Sequence, residues 1–519
     1  MKIKPYRSAH SLPKRALPVA AALMLLVGCA SLEPTPLTRA EISETVQADR
    51  LSLSQNVQPL SHALSLEEAI ARAISYNAER RTREMERALA VGTLDASKYD
   101  LLPKLVAGAG YRERNNDLIT RSKDSVTGAP SLAHPYISSD RSALSTDLTF
   151  SWSLLDFGQS YFAAQQNADR ALIAEERQRK ALHLLIQDVR TAFWRVVALQ
   201  QLQADIKTTI SDAENALQDA RKVEDEKIRS PLEPLRYQRQ LLENIRLLES
   251  IQQDLSSARV ELATLTQLPL SQLVQVEEPK AGIPTDWLQI PVEQLEEHAL
   301  LRNPDLREGV YNTRIARMET RRAMLKLFPG ISFNYGYKHS DDSYLIHQNW
   351  NETGLQVSFN LLGILSAPAQ KRAAEAGVNL ADQKRLAIQM GVLSQLHIAL
   401  LQYGNAARQY ARADALAKVE ERINTHIAHQ AEAEKQSRMD QVSQQTSTIL
   451  AKLRRYQALS NAHMAASRLQ ATLGLEPLQR PSGEANSLDA LTEAVRTTLK
   501  TWEAGKLPTL PQEEASPRS

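Results

Sequence analysis

The chain has 519 residues, a formal net charge of +2 at pH 7, and an aromatic content of only 5%. This length is enough for several domains, and the abundance of Ala, Leu, Gln, Glu and Arg indicates a helix-rich protein. The nearly balanced charge, with no basic cluster interleaved with aromatic residues, argues against a nucleic-acid-binding protein. The single cysteine excludes a disulfide framework.

Residues 1–28 are predicted to be a lipoprotein signal peptide. A basic segment precedes an apolar stretch at 16–27, which is too short to be a permanent transmembrane helix. The stretch ends in Leu-Val-Gly-Cys, which resembles the bacterial lipobox and implies that Cys29 becomes a lipidated N-terminus held by acyl chains such as palmitate. The alternative is an ordinary secretory peptide with an incidental cysteine. Because Ala30 follows the cysteine in place of aspartate, the lipobox resemblance implies sorting to the outer membrane.

The segment 29–63 is rich in Ser, Thr, Pro and Gln, and we predict an extended, lipid-anchored tether there. A capping-type sequence beginning at Ser65 predicts the first regular helix. Its periodic pattern continues to about Leu101, where Pro103 stops it.

A much longer helix is predicted at 159–229, because no proline or glycine interrupts it and apolar residues recur at steps of three and four. A continuous helix of this length would be about 100 Å long. Its apolar seam predicts side-by-side packing with other helices over the whole length. Pro231 and Pro234 then force a reversal, and a return helix is predicted at 235–268.

Between these helices the hydrophobic period changes from helical to two. Apolar and polar residues alternate at 143–155 and, more weakly, at 104–114, and a polar loop at 112–142 joins the two segments. This pattern predicts a β-hairpin with a long hydrophilic loop.

The same order of elements then starts again, with Asn303-Pro304 matching Asn77-Ala78 at an offset of about 226 residues. Because the second hairpin loop is shorter, the offset falls to about 207 after it. The second copy is predicted to contain strands at 330–339 and 353–362, a long helix at 370–437 and a return helix at 440–473. The predicted domains are a signal peptide at 1–28, a tether at 29–63, a first repeat at 64–273, a connector at 274–291, a second repeat at 292–477, and a partly disordered tail with an amphipathic segment at 478–519.

The strands have the length and alternation of tilted transmembrane β-strands, about ten residues each. A soluble sheet with one face on a core is the alternative. Four strands cannot close around an aqueous lumen, and open sheet edges are not tolerated in lipid. Three chains would give twelve strands, an even number within the usual range. We therefore predict a mainly α protein with a membrane β-barrel portion, in which a homotrimeric twelve-stranded barrel continues into a long α-helical barrel.

In this ordered set of motifs the chain resembles the TolC-type outer-membrane factor family. The resemblance covers about 64–477, and its carriers are Leu66-Glu67-Glu68-Ala69-Ile70 with Asn77, Leu102-Pro103, the strand-to-helix corner Trp152-Ser153-Leu154-Leu155-Asp156-Phe157-Gly158, and Leu473-Gly474. It implies an outer-membrane homotrimer that docks on a periplasmic adaptor and an inner-membrane pump driven by protons or ATP. The exported substrate would be a drug, a metal or a secreted polypeptide.

The resemblance also implies that the helical turns near 228–235 and 435–442 form a periplasmic tip. The candidate adaptor contacts are Arg229, Ser230, Pro231, Arg438 and Met439. The candidate pore-constriction acids are Glu432, Glu434 and Asp440. Repeated around three subunits, these acids would form rings that favour cations. A solvated polar helix face is the alternative.

We find no catalytic constellation in the sequence and predict no cofactor. Asp156-Phe157-Gly158 spells a kinase motif, but its companion motifs are missing. The spacing of His426, His429 and Glu432 would suit a metal, although such pairs are common on polar helices and we predict no metal site. The competing hypothesis to a channel is a pore-less coiled-coil envelope lipoprotein that acts as a structural tether.

Overall fold

The computed structural model describes residues 35–55, 57–120, 123–130, 136–225, 232–279, 282–432, 438–478 and 487–508. The chain divides into two units, residues 1–57 and 58–519. The predicted signal peptide and Cys29 lie outside the described residues.

In the described part of the first unit, from residue 35 onwards, the chain forms the helix α1 (Arg39–Ser54). The prediction of an extended tether is therefore wrong for these residues. The physical reason is a capping box: the Thr38 side chain accepts from the Glu41 backbone N–H, and the Glu41 carboxylate accepts from the Thr38 backbone N–H at 2.8 Å. Two otherwise unpaired backbone donors are satisfied in this way.

The helices of the first repeat are α2 (Leu66–Tyr76), α3 (Ala78–Tyr99), α4 (Leu154–Asp225) and α5 (Leu232–Thr266). The single helix predicted from Ser65 to Leu101 is wrong, because Asn77 has an extended backbone and divides it. The Asn77 side chain caps α3 by accepting from Arg80 N–H at 3.0 Å. An asparagine at an N-cap stabilises the break rather than the continuous helix.

The second repeat contains α6 (Val292–Arg302), α7 (Pro304–Leu325), α8 (Gly363–Glu432) and α9 (Arg438–Thr472). Asn303 divides α6 from α7 as Asn77 divides α2 from α3, and it accepts from the N–H groups of Asp305 and Leu306. Each asparagine side chain also donates to the return helix of its own repeat. Asn303 donates to Thr472 O of α9 at 2.9 Å, and Asn77 donates to Leu265 O of α5 at 3.5 Å.

Both long helices begin earlier than predicted: α4 follows β4 directly, and α8 begins five residues after the end of β6. The Ser153 hydroxyl accepts from Asp156 N–H at 3.2 Å at the start of α4, and the Asn360 side chain accepts from Gly363 N–H at 3.0 Å at the start of α8. Pro368 lies inside α8 instead of preceding it. The first turn of α8 is closed by tight i→i+3 bonds, such as Leu365 N–H to Leu362 O, and these precede the proline.

A four-stranded antiparallel sheet joins the two repeats in the order β1-β4-β5-β6. Its strands are β1 (Lys104–Glu113), β4 (Ser142–Ser153), β5 (Gly330–Ser340) and β6 (Asn349–Ser358), and the loop after β1 carries the short pair β2 (Ile119–Thr120) and β3 (Tyr136–Ile137). The prediction of 353–362 for the last strand is wrong by four residues, because β6 pairs with β5 from Asn349↔His339 to Gly330↔Ser358 and Asn360 is already the cap of α8.

The sheet keeps its apolar side chains on one face, as the alternation predicts. Phe150 lies opposite Tyr335, and Trp152 lies opposite Phe333, which lies opposite Leu355. Most of this face is uncovered within the chain: Leu355, for example, is 72% exposed. An exposed apolar face on a four-stranded sheet is unusual in a soluble monomer. It indicates that this face is in contact with an apolar medium outside the chain.

The largest core cluster lies where both long helices meet α2, the connector and the C-terminal segment. Fully buried aromatic side chains at its centre include Phe193, Trp194, Trp287 and Tyr403. A C-terminal helix, α10 (Leu488–Glu503), packs on α2 and confirms the predicted amphipathic segment. Among the residues that the structure describes, none of the helices is both long enough and apolar enough to span a bilayer.

Candidate assembly and channel surfaces

In the second unit, the strands of the sheet and the helices are arranged side by side with the first repeat at one end and the second repeat at the other. In the sheet the order is β1-β4-β5-β6. Among the helices, α3 packs on α4, α4 on α7 and α7 on α8, while α5 packs on α4, α4 on α9 and α9 on α8. In each layer the first repeat therefore supplies one end, with β1 in the sheet and α3 and α5 among the helices. The second repeat supplies the other end, with β6 in the sheet and α8 among the helices.

Both sheet edges lack a strand partner in the described part of the chain. One edge is β1, which pairs only with β4, and the other is β6, which pairs only with β5. Each therefore presents a ladder of unpaired backbone donors and acceptors, which is the feature by which strands of separate chains join. In lipid such edges have to be paired.

The loops of the two hairpins are tied together at one end of the sheet. The Asp140 carboxylate accepts from Ser343 N–H at 2.6 Å, and Asp140 N–H donates to Asp342 Oδ1 at 3.1 Å. The Arg112 guanidinium lies 3.6 Å from Asp342. These bonds hold the long first loop against the short second one.

Ion pairs along α4 and α7 hold the first repeat to the second. Their nitrogen–oxygen distances are 2.7 Å for Arg177–Glu308, 2.8 Å for Lys180–Asp305, 2.7 Å for Arg314–Asp169 and 2.7 Å for Arg307–Glu176. Burial raises the pKa of Asp169 and of Glu176, and the facing arginines oppose this rise. Removing Arg314 would leave the buried Asp169 carboxylate without its ion-pair partner, which is a costly change.

Arg190 is a fully buried cation that joins α4 to α9. It donates to Ser467 Oγ at 2.8 Å and to His463 Nδ1 at 2.9 Å, and burial lowers its pKa to about 10. Because a guanidinium can only donate, His463 Nδ1 accepts and its ring proton is on Nε2. Burial, together with the charge of Arg190, holds the pKa of His463 well below its usual value. The imidazole stacks on Trp194, with ring centroids 5.1 Å apart.

A cavity of about 20 Å³ lies beside this group and is lined by Arg190, Tyr403, Gln470, Trp502 and Glu503 among others. That volume suits about one water molecule. The cavity is thus too small for an organic substrate. Larger depressions are open to solvent, such as the 590 Å³ cleft at the sheet-to-helix junction. No group of three potential metal ligands occurs among the residues described.

The predicted tip residues fall largely outside what the structure describes. Arg229, Ser230, Pro231 and Glu434 are not described. Glu432 is the last described residue of α8, and Arg438 and Met439 are the first described residues of α9. Asp440 lies in the first turn of α9 and is partly buried. The structure leaves their roles as adaptor contacts or constriction acids as predictions.

Sequence reasoning missed the Arg190–His463–Trp194 group. A signal for it exists, because Arg190 interrupts an apolar seam between Val189 and Phe193. A charged residue on the buried face of a helix needs a polar partner on a facing helix. Its partners come from α9, more than 270 residues away.

No protein-family model matches the chain, and no curated protein matches it. Solved structures do. The CmeC outer membrane channel of Campylobacter jejuni is 12% identical with a TM-score of 0.62, over 97% of this chain and 98% of that one. A membrane protein from Pseudomonas aeruginosa is 16% identical with a TM-score of 0.61, over 79% and 90%. The open state of the MtrE outer membrane channel of Neisseria gonorrhoeae is 15% identical with a TM-score of 0.57, over 81% and 94%.

These matches extend over most of both chains. At such low identity they establish the fold. The chain has the fold of the TolC-type outer-membrane factors, as its sequence motifs predict.

Proposed function

We propose that this chain is the outer-membrane channel of an export system, and not an enzyme. Its substrates would pass from a periplasmic adaptor and an inner-membrane pump, driven by protons or ATP, to the outside of the cell. The single observation that carries this proposal is the sheet: four strands of transmembrane length, an uncovered apolar face, and two unpaired edges.

A barrel built from several copies accounts for both unpaired edges. Strand β6 of one copy would pair with β1 of the next, so that no edge meets lipid. Three copies would supply twelve strands, enough to surround water, whereas four strands are too few. The contact is heterologous, and such contacts close into rings when the rotation per subunit allows it.

The long helices support a passage that continues beyond the membrane. Helices α4 and α8 have 72 and 70 residues, which corresponds to about 105 Å at 1.5 Å per residue. This is of the order needed to cross the periplasm. Their polar faces would line the lumen, since an aqueous route needs a wetted wall.

The tip and the anchor complete the proposal. Arg229, Ser230, Pro231, Arg438 and Met439 would contact the adaptor, and acyl chains on Cys29 would hold the N-terminus in the outer membrane. Glu432, Glu434 and Asp440 would restrict the closed pore and favour cations. The charge-ring part is tested by a Glu432→Ala/Glu434→Ala variant: lower cation preference is expected, and unchanged preference and conductance would reject it.

The competing hypothesis is a coiled-coil lipoprotein that tethers envelope layers without a pore. Such a tether has no use for a sheet with an uncovered apolar face. Planar-bilayer recording of the purified, detergent-extracted protein separates the two hypotheses. We expect stepwise currents and a trimeric mass by native mass spectrometry, whereas a stable monomer with no conductance would overturn the channel.

A further inference from the structure

The polar face of the sheet carries one cluster of charged side chains away from its two ends. We define this sheet triad as Asp147 of β4, Lys338 of β5 and Glu352 of β6, which share a face because they hold alternate positions in paired strands. Asp147 lies directly opposite Lys338, and it accepts from the Thr149 hydroxyl at 3.0 Å. Lys338 Nζ lies 2.6 Å from Glu352 Oε2, and these two side chains are 37% and 57% exposed. One lysine therefore stands between two carboxylates on a surface that is open to solvent.

Glycines beside the triad let its side chains lie flat along the sheet. Asp147 lies opposite Gly108 of β1, and a Cβ at Gly108 would clash with the Asp147 carboxylate, so this carboxylate lies across the glycine. Gly336 lies directly opposite Glu352, and a Cβ at Gly336 would be 3.7 Å from Lys338 Cε. The lysine thus crosses Gly336 to reach Glu352. The charges are held at the surface of the wall and do not stand out from it.

The triad has a net charge of −1 in each copy, because two ionised carboxylates flank one ammonium group. The other charged side chains of the polar face lie towards the two ends of β1. Lys104 is the first residue of that strand, and Arg112, near its other end, lies 3.6 Å from Asp342 in the second hairpin loop. Between these ends the polar face consists mainly of serine, threonine, asparagine, glutamine and glycine. The triad is therefore the concentrated charge of the middle of this face.

The polar face is the side of the sheet that water contacts. The opposite face carries the exposed aromatic and aliphatic side chains, such as Tyr335 and Leu355. A strand wall between lipid and an aqueous lumen turns its polar side towards the lumen. In a channel, the triad would therefore lie on the wall past which solutes leave the cell.

We propose that the sheet triad sets the charge preference of the passage where it crosses the membrane, and that it favours positively charged solutes over anions. This rests on the proposed function, because the triad acts only on solutes that pass through a lumen. Lys338 determines the strength of the preference, since its ammonium cancels half of the negative charge of the triad. The inference concerns residues of the membrane sheet and is separate from the predicted acids near the ends of the long helices.

Neutralising single members of the triad shifts the preference in opposite directions. Lys338→Gln doubles the net negative charge of the triad, whereas Glu352→Gln removes it. The ratio of cation to anion permeability is measured from reversal potentials of the full-length protein in planar bilayers under a KCl gradient. At about 10 mM salt, where the Debye length is about 30 Å, we expect this ratio to rise about threefold in Lys338→Gln and to fall about threefold in Glu352→Gln. At about 1 M salt, where the Debye length is about 3 Å, both variants should match the unmodified protein.

Two controls separate charge from local structure. Lys338→Arg keeps the positive charge and should keep the permeability ratio of the unmodified protein. The double variant Lys338→Gln/Glu352→Gln loses the ion pair but has the same net charge as the unmodified triad, so it should recover the unmodified ratio. An effect caused only by the lost ion pair would persist in the double variant, and that result would overturn the assignment.

Conductance at about 1 M KCl shows whether each variant forms a channel. If Lys338→Gln forms none, Glu352→Gln and Asp147→Asn still test the inference, because each removes a carboxylate and should lower the ratio. If the unmodified protein conducts but these variants keep its ratio at low salt, the role of the triad is refuted while the channel stands. If the unmodified protein does not conduct, the proposed function is refuted, and the role of the triad with it.

Discussion

Trp502 offers a sharp test of whether the C-terminal segment belongs to the folded body. Its side chain is 4% exposed on α10 and stacks on His183 of α4, with centroids 6.1 Å apart and planes 16° apart. Truncating a buried tryptophan to alanine costs about 3–5 kcal/mol, and this range includes the cavity that remains. The bond from Trp287 Nε1 to the Trp502 carbonyl, at 2.7 Å, is to backbone and survives the change.

We therefore expect Trp502→Ala to lower the apparent melting temperature of the detergent-solubilised protein by several degrees, followed by circular dichroism at 222 nm. The control is Lys500→Ala, an exposed residue on the same helix whose truncation should be nearly neutral. If the two variants melt together, α10 does not contribute to the stability of the core, and the packing argument is refuted.

Three further predictions concern the backbone, the pH response and the helix caps. Gly474 has a φ of +66°, and a Cβ there would clash with the backbone carbonyl of Arg302, so Gly474→Ala should destabilise the fold by more than about 2 kcal/mol. At its repeat counterpart Gln267, whose φ is +56°, a change to glycine should instead be neutral or stabilising in the same thermal melts. Equal losses of stability at both sites would contradict the strain. Burial lowers the pKa of His183 to about 4, so below pH 6.5 the unfolded chain takes up a proton that the folded chain does not. The contribution of His183 to the free energy of unfolding should be complete above pH 6.5 and fall by up to about 3 kcal/mol towards pH 4. If the denaturation midpoint of His183→Gln has the same pH dependence as that of the unmodified protein, this prediction is refuted. Asn303→Ala should cost about 1–2 kcal/mol and more than Asn77→Ala, because its bond to the return helix is shorter; denaturant titration of the two variants should rank them in that order.

The helical rods, their return partners and the hairpins were predictable because each has a strong local signal. A run without glycine or proline and with an apolar seam can be little other than a long helix. Alternation over ten residues likewise specifies a strand with two unlike faces. The duplication was predictable for the same reason, since Asn77 and Asn303 occupy matching positions in both copies.

Element boundaries were less predictable because they depend on single capping bonds. The break at Asn77, the start of α4 at Leu154 and the early position of β6 each follow from one side chain that accepts from a nearby N–H. The helix α1 was missed in a similar way, since its capping box was hidden in a segment of low periodicity. The composition and periodicity of a segment describe many residues at once and do not reveal such single contacts.

The sequence by itself determined the class of fold, the repeat and the resemblance to the outer-membrane factors, because these follow from periodicity and from the order of motifs along the chain. Only the tertiary structure decided which helix lies beside which, how Arg190 is satisfied by α9, and which faces of α5 and α8 remain uncovered. Those features depend on contacts between residues hundreds of positions apart, and a one-dimensional pattern records that a face is apolar but not what covers it.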